Sequence, residues 1–460
     1  MIRSLVVTVI LFVGLATPVP ALADGDRPNV ILIIADDLTY TDLGFAGNDE
    51  VRTPHLDKLR GESVYLQRLF TTAPMCAPTR MSIYTGLYPV RNGAHPNHSR
   101  VLDDVQSLPN YLLPLGYRVG LTGKRHYAPE TNFPFDFLGG RQADGGPGND
   151  LDLEAADEFI NASDDPFCLV LASNQPHTPW NLGDSSHFDA ATLTLPPYLV
   201  DTERTRSLLA DYYAEIEYLD NQVGKAMAML EASGEAGNTV VIFVSEQGSN
   251  FPHAKWTLYD TGIRAAGLVR WPDVVESGSS STALASYVDL LPTIFELAGG
   301  DPAELDIDGR SLVNLLRGET AAHRDVVFAV QTSRGIIRGP DHYGIRAARD
   351  GSLKYIRNLT PDATFKNTVT AGQAGFGSWR KAAEAGDEVA AERVKAYQHR
   401  PAEELYDLEA DPFEMHNVID DPKYAESLEK LRKSLDEWMQ QQGDEGQATE
   451  MDALNRQAKE

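Results

Sequence analysis

The sequence predicts an α/β fold in which helices cover both faces of a large, mostly parallel β-sheet and a smaller antiparallel sheet follows. The continuous apolar runs Asn29–Ala35 and Phe167–Ala172, and a third at residues 239–244, are typical of strands buried on both faces. Helical patterns alternate with these runs, which indicates parallel strands joined by crossover helices. After about Gly318 the predicted strands become short and half-polar, which indicates a separate antiparallel sheet.

Predicted helices and strands alternate along the first part of the chain. The helices expected there span residues 54–63, 78–85, 107–115, 151–161, 205–232 and 287–297, and further strands span residues 117–121 and 263–270. Thr53 is expected to cap the first helix, with Pro54 at its first position, and Gly86 is expected to end the second. This large α/β domain is predicted to end at residue 320.

The C-terminal part is predicted to span residues 321–460. Its expected strands span residues 326–330, 343–347 and 353–357, with a charged helix near residues 382–396 and a last helix near residues 425–441 that packs back on the body. The polar tail from Gly443 is expected to be frayed. The glycine-rich stretch at residues 139–150 is expected to form a flexible surface loop.

The composition is typical of a soluble globular protein. Of the 460 residues, 42% are hydrophobic and 23% are charged, which excludes wholesale disorder, a collagen-like chain and a polytopic membrane protein. With 40 Lys and Arg against 67 Asp and Glu, the formal net charge is −27. Such a chain repels phosphate backbones and anionic lipid, so neither nucleic acid nor a stable membrane association is expected.

Residues 1–23 are expected to be a signal peptide. Arg3 gives a short positive region, residues 4–16 form an apolar stretch too short for a good membrane span, and Ala21 and Ala23 form an A-x-A cleavage motif. The mature chain would then start near Asp24 and be exported, to the periplasm or the medium. An uncleaved N-terminal anchor is the alternative.

The sequence contains two cysteines, Cys76 and Cys168. In an exported protein such a pair suggests a disulfide, but a domain of this size needs none, and Cys168 lies in a run expected to be a buried strand. The Walker P-loop, G-x-S-x-G, H-E-x-x-H and G-x-G-x-x-G motifs are absent from the sequence. The sequence therefore contains none of the usual motifs for P-loop phosphoryl transfer, serine-hydrolase chemistry or hydride transfer.

Polar residues follow the apolar runs at the carboxyl ends of the predicted strands, where open α/β sheets bind ligands. These residues are Asp36, Asp37, Lys124, His126, His177, Glu246 and Gln247, with Lys255 further on. Carboxylate and amide oxygens are hard ligands suited to Ca²⁺ or Mg²⁺, and the lysines and histidines suit a bound oxyanion. Taken singly, these residues have ordinary interpretations as turns, caps or surface charges, so the prediction depends on all of them lying at one edge of the sheet.

Residues 76–86 read CAPTRMSIYTG. Here the sequence resembles the type I sulfatase family of the alkaline-phosphatase-like superfamily, whose motif is C-x-[S/P]-x-R followed by a T-G pair. Further segments fall in the family's order: NVILIIADD, TPHLDKL, LTGKRH, QPHTPW, the AKWTLYDTGIR run and ELYDLEADPFEMHNV. The resemblance covers nearly all of the mature chain and implies an alkaline-phosphatase-like fold with residues 24–320 as the catalytic domain.

The resemblance implies that a formylglycine-generating enzyme oxidises Cys76 to formylglycine (3-oxoalanine). The residues implied to bind a calcium ion are Asp36, Asp37, the oxygen derived from Cys76, Glu246 and Gln247. One hydroxyl of the hydrated aldehyde would attack sulfur, and the second would expel sulfate from the resulting sulfated diol. The other implied roles are Arg80 holding the diol, His126 as the base of the second step, and Lys124, Lys255 and His177 binding the sulfate, with His177 or Lys255 as proton donor to the leaving oxygen.

One pair departs from the family's pattern. The family usually has Asp followed by Asn or His where this chain has Glu246 and Gln247, and both side chains here are one methylene longer. Oxygen donors are kept, so calcium remains the expected ion. Direct coordination by Gln247 is left open.

A closer resemblance is to the sulfamidase-like branch, the N-sulfoglucosamine sulfohydrolases, carried by GKRHYAPETNFPFDF and TVTAGQAGFGSW. It implies a sulfated saccharide substrate and leaves open whether the sulfate is O- or N-linked. Candidate sugar contacts are Asn97, His98, Glu130 and Asn132, although a structural role is favoured for each. Two alternatives remain: a phosphonate monoester or phosphodiester hydrolase of the same superfamily, and a non-catalytic protein that binds sulfated glycans. The sequence makes no prediction of the oligomeric state.

Overall fold

The computed structural model describes residues 27–140, 150–333 and 342–456. Its strands, in chain order, are β1 (Asn29–Ala35), β2 (Val64–Leu66), β3 (Leu69–Phe70), β4 (Arg118–Gly123), β5 (Asp136–Phe137), β6 (Phe167–Ala172), β7 (Thr239–Ser245), β8 (Arg264–Ala265), β9 (Gly267–Arg270), β10 (Ser280–Ser281), β11 (Ala285–Ser286), β12 (Val327–Thr332), β13 (Gly344–Arg349), β14 (Leu353–Asn358) and β15 (Glu403–Asp407). Its α-helices are α1 (Pro54–Gly61), α2 (Cys76–Thr85), α3 (Pro89–Asn92), α4 (Leu108–Leu112), α5 (Leu153–Ile160), α6 (Glu203–Ser233), α7 (Asp260–Ile263), α8 (Leu290–Leu297), α9 (Val313–Leu316), α10 (Phe376–Glu384), α11 (Glu388–Gln398), α12 (Ala425–Gln442) and α13 (Gln447–Asp452).

Two predictions fall outside these residues. The predicted signal peptide and most of the glycine-rich stretch at residues 139–150 are not among the described ranges. Within those ranges, no helix combines the length and the apolar character that crossing a bilayer requires.

Eight strands form one large sheet in the order β10-β2-β9-β7-β1-β6-β4-β5. β1 lies between β6 and β7, and both run parallel to it. Among the described strands of this sheet, β9 alone runs antiparallel to its neighbours, β2 and β7. The predicted large, mostly parallel sheet is therefore confirmed.

All seven residues of β1 are buried. Ile31 and Ile33 pack into the hydrophobic core on one face of the sheet, and Val30, Leu32 and Ile34 pack into the core on the other. Successive side chains of a strand point to opposite faces, so a strand covered on both sides needs a continuous apolar run. Each fully buried aliphatic side chain contributes about 1.5–3 kcal/mol, which makes this central strand a strong determinant of the fold.

Strands β12 to β15 form a separate antiparallel sheet in sequence order, which confirms the smaller C-terminal sheet. Its fourth strand, β15, was not predicted, although Leu405 and Tyr406 within it are buried. The last predicted helix is confirmed as α12, which packs against β13 and β14. The Val330 N–H in β12 donates to the Thr72 carbonyl at 2.9 Å, which ties this sheet to the segment before Cys76. The domain boundary at residue 320 stays a prediction.

Two local expectations in the first part of the chain were wrong. The predicted strand at residues 263–270 is two short strands in different sheets, because β8 pairs with β3 outside the large sheet. The Thr53 side chain makes no capping hydrogen bond to α1. Its hydroxyl instead accepts from the Gly44 N–H at 3.1 Å.

Two expectations in the C-terminal part were also wrong. The predicted charged helix is divided into α10 and α11 near Gly386, whose φ of 98° lies in the left-handed region that ends helices. The tail after Gly443 is not frayed over its described residues, 444–456. It contains the helix α13, and Glu450 in that helix is 1% exposed.

Candidate active site

The carboxyl ends of four neighbouring strands of the large sheet carry the predicted polar residues. These are Asp36 and Asp37 after β1, Lys124 after β4, His177 after β6, and Glu246 and Gln247 after β7. Backbone hydrogen bonds hold the edge together: Asp36 N–H donates to the Gln175 carbonyl at 2.9 Å, and Glu246 N–H donates to the Ala35 carbonyl at 2.7 Å. The structure thus brings the predicted residues to one edge.

Cys76 is the first residue of α2 and is 1% exposed. Its Sγ lies 3.6 Å from Asp36 Oδ1, 3.2 Å from Gln247 Nε2 and 3.3 Å from Lys255 Nζ. Burial raises the pKa of the thiol well above its usual value, and the carboxylates of Asp36 and Glu246 act in the same direction. The unmodified thiol is therefore held neutral at a helix N-terminus, where backbone N–H groups favour an anion.

The two cysteines form no disulfide. Cys168 lies fully buried in β6, and both thiols are free. The disulfide interpretation of the pair is therefore excluded, and Cys76 is available for other chemistry.

Two buried lysines pair with the two aspartates. Lys124 Nζ lies 2.5 Å from Asp36 Oδ2, and Lys255 Nζ lies 2.8 Å from each carboxylate oxygen of Asp37. Burial raises the pKa of Asp36, but Lys124, together with Glu246, His177 and Arg80, outweighs burial and holds that pKa well below its usual value. Burial lowers the pKa of Lys255, but Asp37, together with Cys76 and Asp36, outweighs burial, and the pKa is raised. The two pairs therefore place two lysine side chains beside Cys76.

Arg80 pairs with Glu246 in the same buried region. Arg80 Nε donates to Glu246 Oε1 at 2.6 Å, Nη2 donates to Oε2 at 3.3 Å, and Nη1 donates to the Lys124 carbonyl at 3.0 Å. Burial raises the pKa of Glu246 well above its usual value, Arg80 opposes this rise and Asp36 adds to it. Glu246 was predicted as a metal ligand, yet here both of its oxygens accept from Arg80.

Gln247 bridges Asp37 and Cys76. Its Nε2 donates to Asp37 Oδ1 at 2.7 Å and to Cys76 Sγ at 3.2 Å. Its Oε1 is buried and has no hydrogen-bond partner among the described residues, which is rare for a buried carbonyl oxygen. Turning the amide by half a rotation would exchange Nε2 for Oε1 and place this oxygen beside Asp37.

The donor set fits a divalent cation. Asp36, Cys76 and His177 each place one possible ligand atom within 4.8 Å of the others. Asp37 and the unpartnered Oε1 of Gln247 add further oxygens, and a set dominated by carboxylate and amide oxygens suits Ca²⁺.

The two predicted histidines are held by different partners. His177 Nδ1 donates to the Thr178 carbonyl at 2.6 Å, which leaves Nε2 facing Asp37 Oδ2 at 3.6 Å. His126 Nε2 lies 3.1 Å from His98 Nδ1, so one ring donates to the other. Asp37, His98 and His126 have φ values of 60°, 55° and 46°. Left-handed backbone costs about 1–3 kcal/mol at residues other than glycine and is concentrated at functional sites.

The candidate sugar contacts are mostly structural. Asn97 is buried and its Oδ1 accepts from the Ala77 N–H at 3.2 Å. Asn132 Nδ2 reaches three backbone carbonyls of the loop at residues 102–105, the shortest contact being 2.8 Å to Val105. Glu130 Oε1 pairs with Arg125 at 2.7 Å. Of the four candidates, His98 combines exposure with a direct contact to a predicted catalytic residue.

Trp256 was not predicted as part of this site. Lys255 Nζ lies 4.9 Å from the centroid of the Trp256 ring. This distance allows a cation–π contact, which further stabilises the position of the lysine side chain. Trp256 also has a φ of 73°. In the sequence, its only signal is its position next to Lys255.

The sulfatase family model matches residues 28–300, and the C-terminal model of N-sulphoglucosamine sulphohydrolase matches residues 250–364. The chain is 32% identical over 430 residues to an ulvan-active sulfatase of Formosa agariphila, covering 92% of this chain and 82% of that protein. It is 29% identical over 470 residues to N-sulphoglucosamine sulphohydrolase of Homo sapiens, covering 90% of each.

Among solved structures, the fold is similar to that of a protein in complex with its substrate, D-glucosamine-2-N,6-O-disulfate. The TM-score is 0.70 at 20% identity, and the match covers 92% of this chain and 99% of that protein's chain. This is a likeness of fold. The family model covers more than half of the chain, and the 32% identical relative is matched over 82% of its length. The chain therefore belongs to the sulfatase family, the enzymes that hydrolyse sulfuric esters.

Proposed function

We propose that the protein hydrolyses a sulfate ester or a sulfamate on a saccharide and releases inorganic sulfate. The position of Cys76 carries this proposal: it begins α2 and lies between Asp36 and Lys255, at 3.6 and 3.3 Å. A saccharide is supported by the relatives, which are named for ulvan and N-sulphoglucosamine. A similar fold binds D-glucosamine-2-N,6-O-disulfate.

Cys76 would be oxidised to formylglycine by a formylglycine-generating enzyme. The thiol itself is a weak nucleophile in this place, because burial raises its pKa. The hydrated aldehyde supplies one hydroxyl for attack on sulfur and a second that lets sulfate depart. Arg80, anchored by Glu246 and the Lys124 carbonyl, would orient residue 76.

Calcium is the proposed resident cation, held by Asp36, Asp37, the oxygen at position 76 and Gln247. Gln247 would turn its unpartnered Oε1 toward the ion. Glu246 would join them by sharing one oxygen with Arg80, since a carboxylate oxygen accepts more than one partner. When bound, the ion supplies Lewis-acid chemistry to the neighbouring oxygen atoms.

The cations around Cys76 would bind the sulfate group. Lys124 and Lys255 neutralise its oxygens, and His177 presents Nε2 because its Nδ1 is held by Thr178. Asp37 is the main group that raises the pKa of Lys255 above its usual value, so the lysine retains its proton. His177 would donate to the leaving oxygen from Nε2, which requires the ring to carry a proton on both nitrogens, because Nδ1 already donates to Thr178. His126, paired with His98, would serve as the base of the second step.

The proposal is tested by co-expressing the chain with a formylglycine-generating enzyme and confirming the aldehyde at position 76 by peptide mass. Sulfate release is then measured on ulvan, on O-sulfated glucosamine and on N-sulfoglucosamine, with Cys76→Ala as the control. Release from at least one saccharide, absent in the control, is expected. Faster turnover of an aryl phosphodiester than of an aryl sulfate would favour the phosphodiesterase alternative. A fully modified protein that binds calcium but cleaves none of these compounds would favour the glycan-binding alternative.

Export is proposed from residues 1–23 alone, which read as a signal peptide. N-terminal sequencing of the protein secreted by its host should begin near Asp24. A chain that keeps Met1 in the membrane fraction would instead support the N-terminal anchor.

A further inference from the structure

The last described residues of the chain, 443–456, which we call the tail segment, are locked into the protein by a buried ion cluster. Arg346 in β13 is fully buried and pairs with Asp444 and with Glu450, whose Oε1 lies 3.0 Å from Arg346 Nη2. The Thr332 hydroxyl donates to the same oxygen of Glu450 at 2.9 Å. Removing either carboxylate would leave the buried arginine short of a partner, so the cluster holds the tail segment firmly.

The tail segment supports residues 92–102, which we call the bridging loop. The Arg100 N–H donates to the Arg456 carbonyl at 3.1 Å. His95 is 3% exposed, burial lowers its pKa to about 4, and the Arg346 guanidinium acts in the same direction. The His95 ring is therefore within electrostatic reach of Arg346 and Asp444, and the Arg100 hydrogen bond places the bridging loop against the tail segment.

The bridging loop also reaches the catalytic centre. Asn97 Oδ1 accepts from the Ala77 N–H, which directly follows Cys76 in α2. Met75, at the N-cap position, makes no side-chain capping bond, so Asn97 supplies the cap from a distant part of the chain. The adjacent residue, His98, lies 3.1 Å from His126 Nε2.

We propose that the tail segment positions the catalytic centre through the bridging loop. Asn97 is a positioning residue that acts on Cys76 through Ala77, and Glu450 is a positioning residue that acts through Arg346 and the bridging loop. This role rests on the proposed function of Cys76. A misplacement of about 1 Å at a reacting group can cost about a hundredfold in rate, so a distant support of this kind has a measurable effect on turnover.

The first test is kinetic. Glu450→Gln keeps the size of the side chain and removes its charge, and Met451→Ala, at a position 62% exposed on the same helix, is the matched control. Glu450→Gln and Asn97→Ala should each lower kcat about tenfold while KM stays within about twofold. The lysines and histidine proposed to bind the sulfate are unchanged in both variants, whereas the alignment of residue 76 is disturbed. Met451→Ala should behave as wild type.

The double variant Glu450→Gln with Asn97→Ala decides whether the two residues act through one link. Its loss of kcat should be no larger than the larger single loss, since the second change removes support that is already gone. Losses that multiply would show two independent effects and would overturn the proposal.

The second test needs no enzymatic activity. In protein made without the modifying enzyme, the Cys76 thiol should react with a maleimide about tenfold faster in both single variants than in wild type, because local opening exposes it. Cys168, in β6, is the internal control and should keep its rate. Faster labelling of both cysteines together would indicate general destabilisation and contradict the positioning role. If the labelling result holds while modified wild type releases no sulfate, the proposed function fails and the positioning role stands.

Discussion

Arg80 and Glu246 form a two-point ion pair in which both side chains are fully buried, with Nε 2.6 Å from Oε1 and Nη2 3.3 Å from Oε2. The pair joins α2, which begins at Cys76, to the end of β7. In such surroundings the mutual attraction offsets the cost of desolvation only while both partners are present. Glu is one methylene longer than Asp, and in this chain that added reach ends on the guanidinium.

Glu246→Gln should destabilise the protein, because it removes the negative charge that faces the buried Arg80 and replaces one of the two accepting oxygens by an NH₂ group. We expect a loss of about 3–5 kcal/mol in the free energy of unfolding, measured by urea titration. The control is Asp436→Asn, which breaks the exposed pair with Arg357 and should cost less than about 1 kcal/mol. Equal, small losses in both variants would show that the buried pair does not form.

Cys76→Ala should fold normally and lose activity by at least about a thousandfold, because the nucleophilic oxygen can no longer be made. Cys76→Ser keeps a single hydroxyl and lacks the second one that releases sulfate. Incubated with substrate, the serine variant should accumulate a stable sulfated form that is visible by intact mass. Sustained turnover by either variant would exclude residue 76 as the nucleophile.

Most of the large sheet was predictable because its central strands obey one simple rule. β1 and β6 were predicted with the bounds that the structure shows, since strands buried on both faces must be apolar throughout. β15 was missed because only Glu404, Leu405 and Tyr406 are buried in it, too short a signal for periodicity to detect. The tail segment was wrongly predicted to be frayed, because acidic residues such as Asp444 and Glu450 are usually exposed to solvent. In the structure both are paired with the buried Arg346.

The sequence predicted which residues of the site lie near one another, but not which of them pair. Polar residues after apolar strands meet at one edge in any parallel sheet, so Asp36 and Lys124 could be placed together from the sequence. Pairs such as Asp36 with Lys124 join residues far apart in the sequence. The sequence therefore does not show whether Glu246 contacts a metal ion or the Arg80 guanidinium. The capping of α2 by Asn97 was hidden for the same reason, because the two partners come from separate segments.

Calcium should stabilise the protein if the oxygens near Cys76 form the proposed site. A chelator should lower the melting temperature and excess Ca²⁺ should restore it, with a stabilisation of about 2.7 kcal/mol at a concentration a hundredfold above Kd. Asp37→Ala should abolish this response. Asp306→Ala, whose side chain is 97% exposed, should leave it unchanged. A response to calcium that survives in Asp37→Ala would place the ion elsewhere.

Asp42 should make the stability of the protein depend on pH in a direction unusual for a carboxylate. It is 5% exposed, and burial raises its pKa to about 6 against hydrogen bonds from Thr41, Tyr212 and Thr39. The folded state therefore binds this proton more tightly than the unfolded state does, so the contribution is fully present below about pH 4 and is lost as the pH rises through about 6. Asp42→Asn removes the titration and should raise the free energy of unfolding relative to wild type by about 2.4 kcal/mol more at pH 7.5 than at pH 4. Urea titrations at the two pH values measure this difference, with Asp49→Asn, at an exposed position of the same segment, as the control for the substitution itself. A difference between Asp42→Asn and wild type that stays constant across this range would show that Asp42 titrates in the folded protein as it does in the unfolded chain.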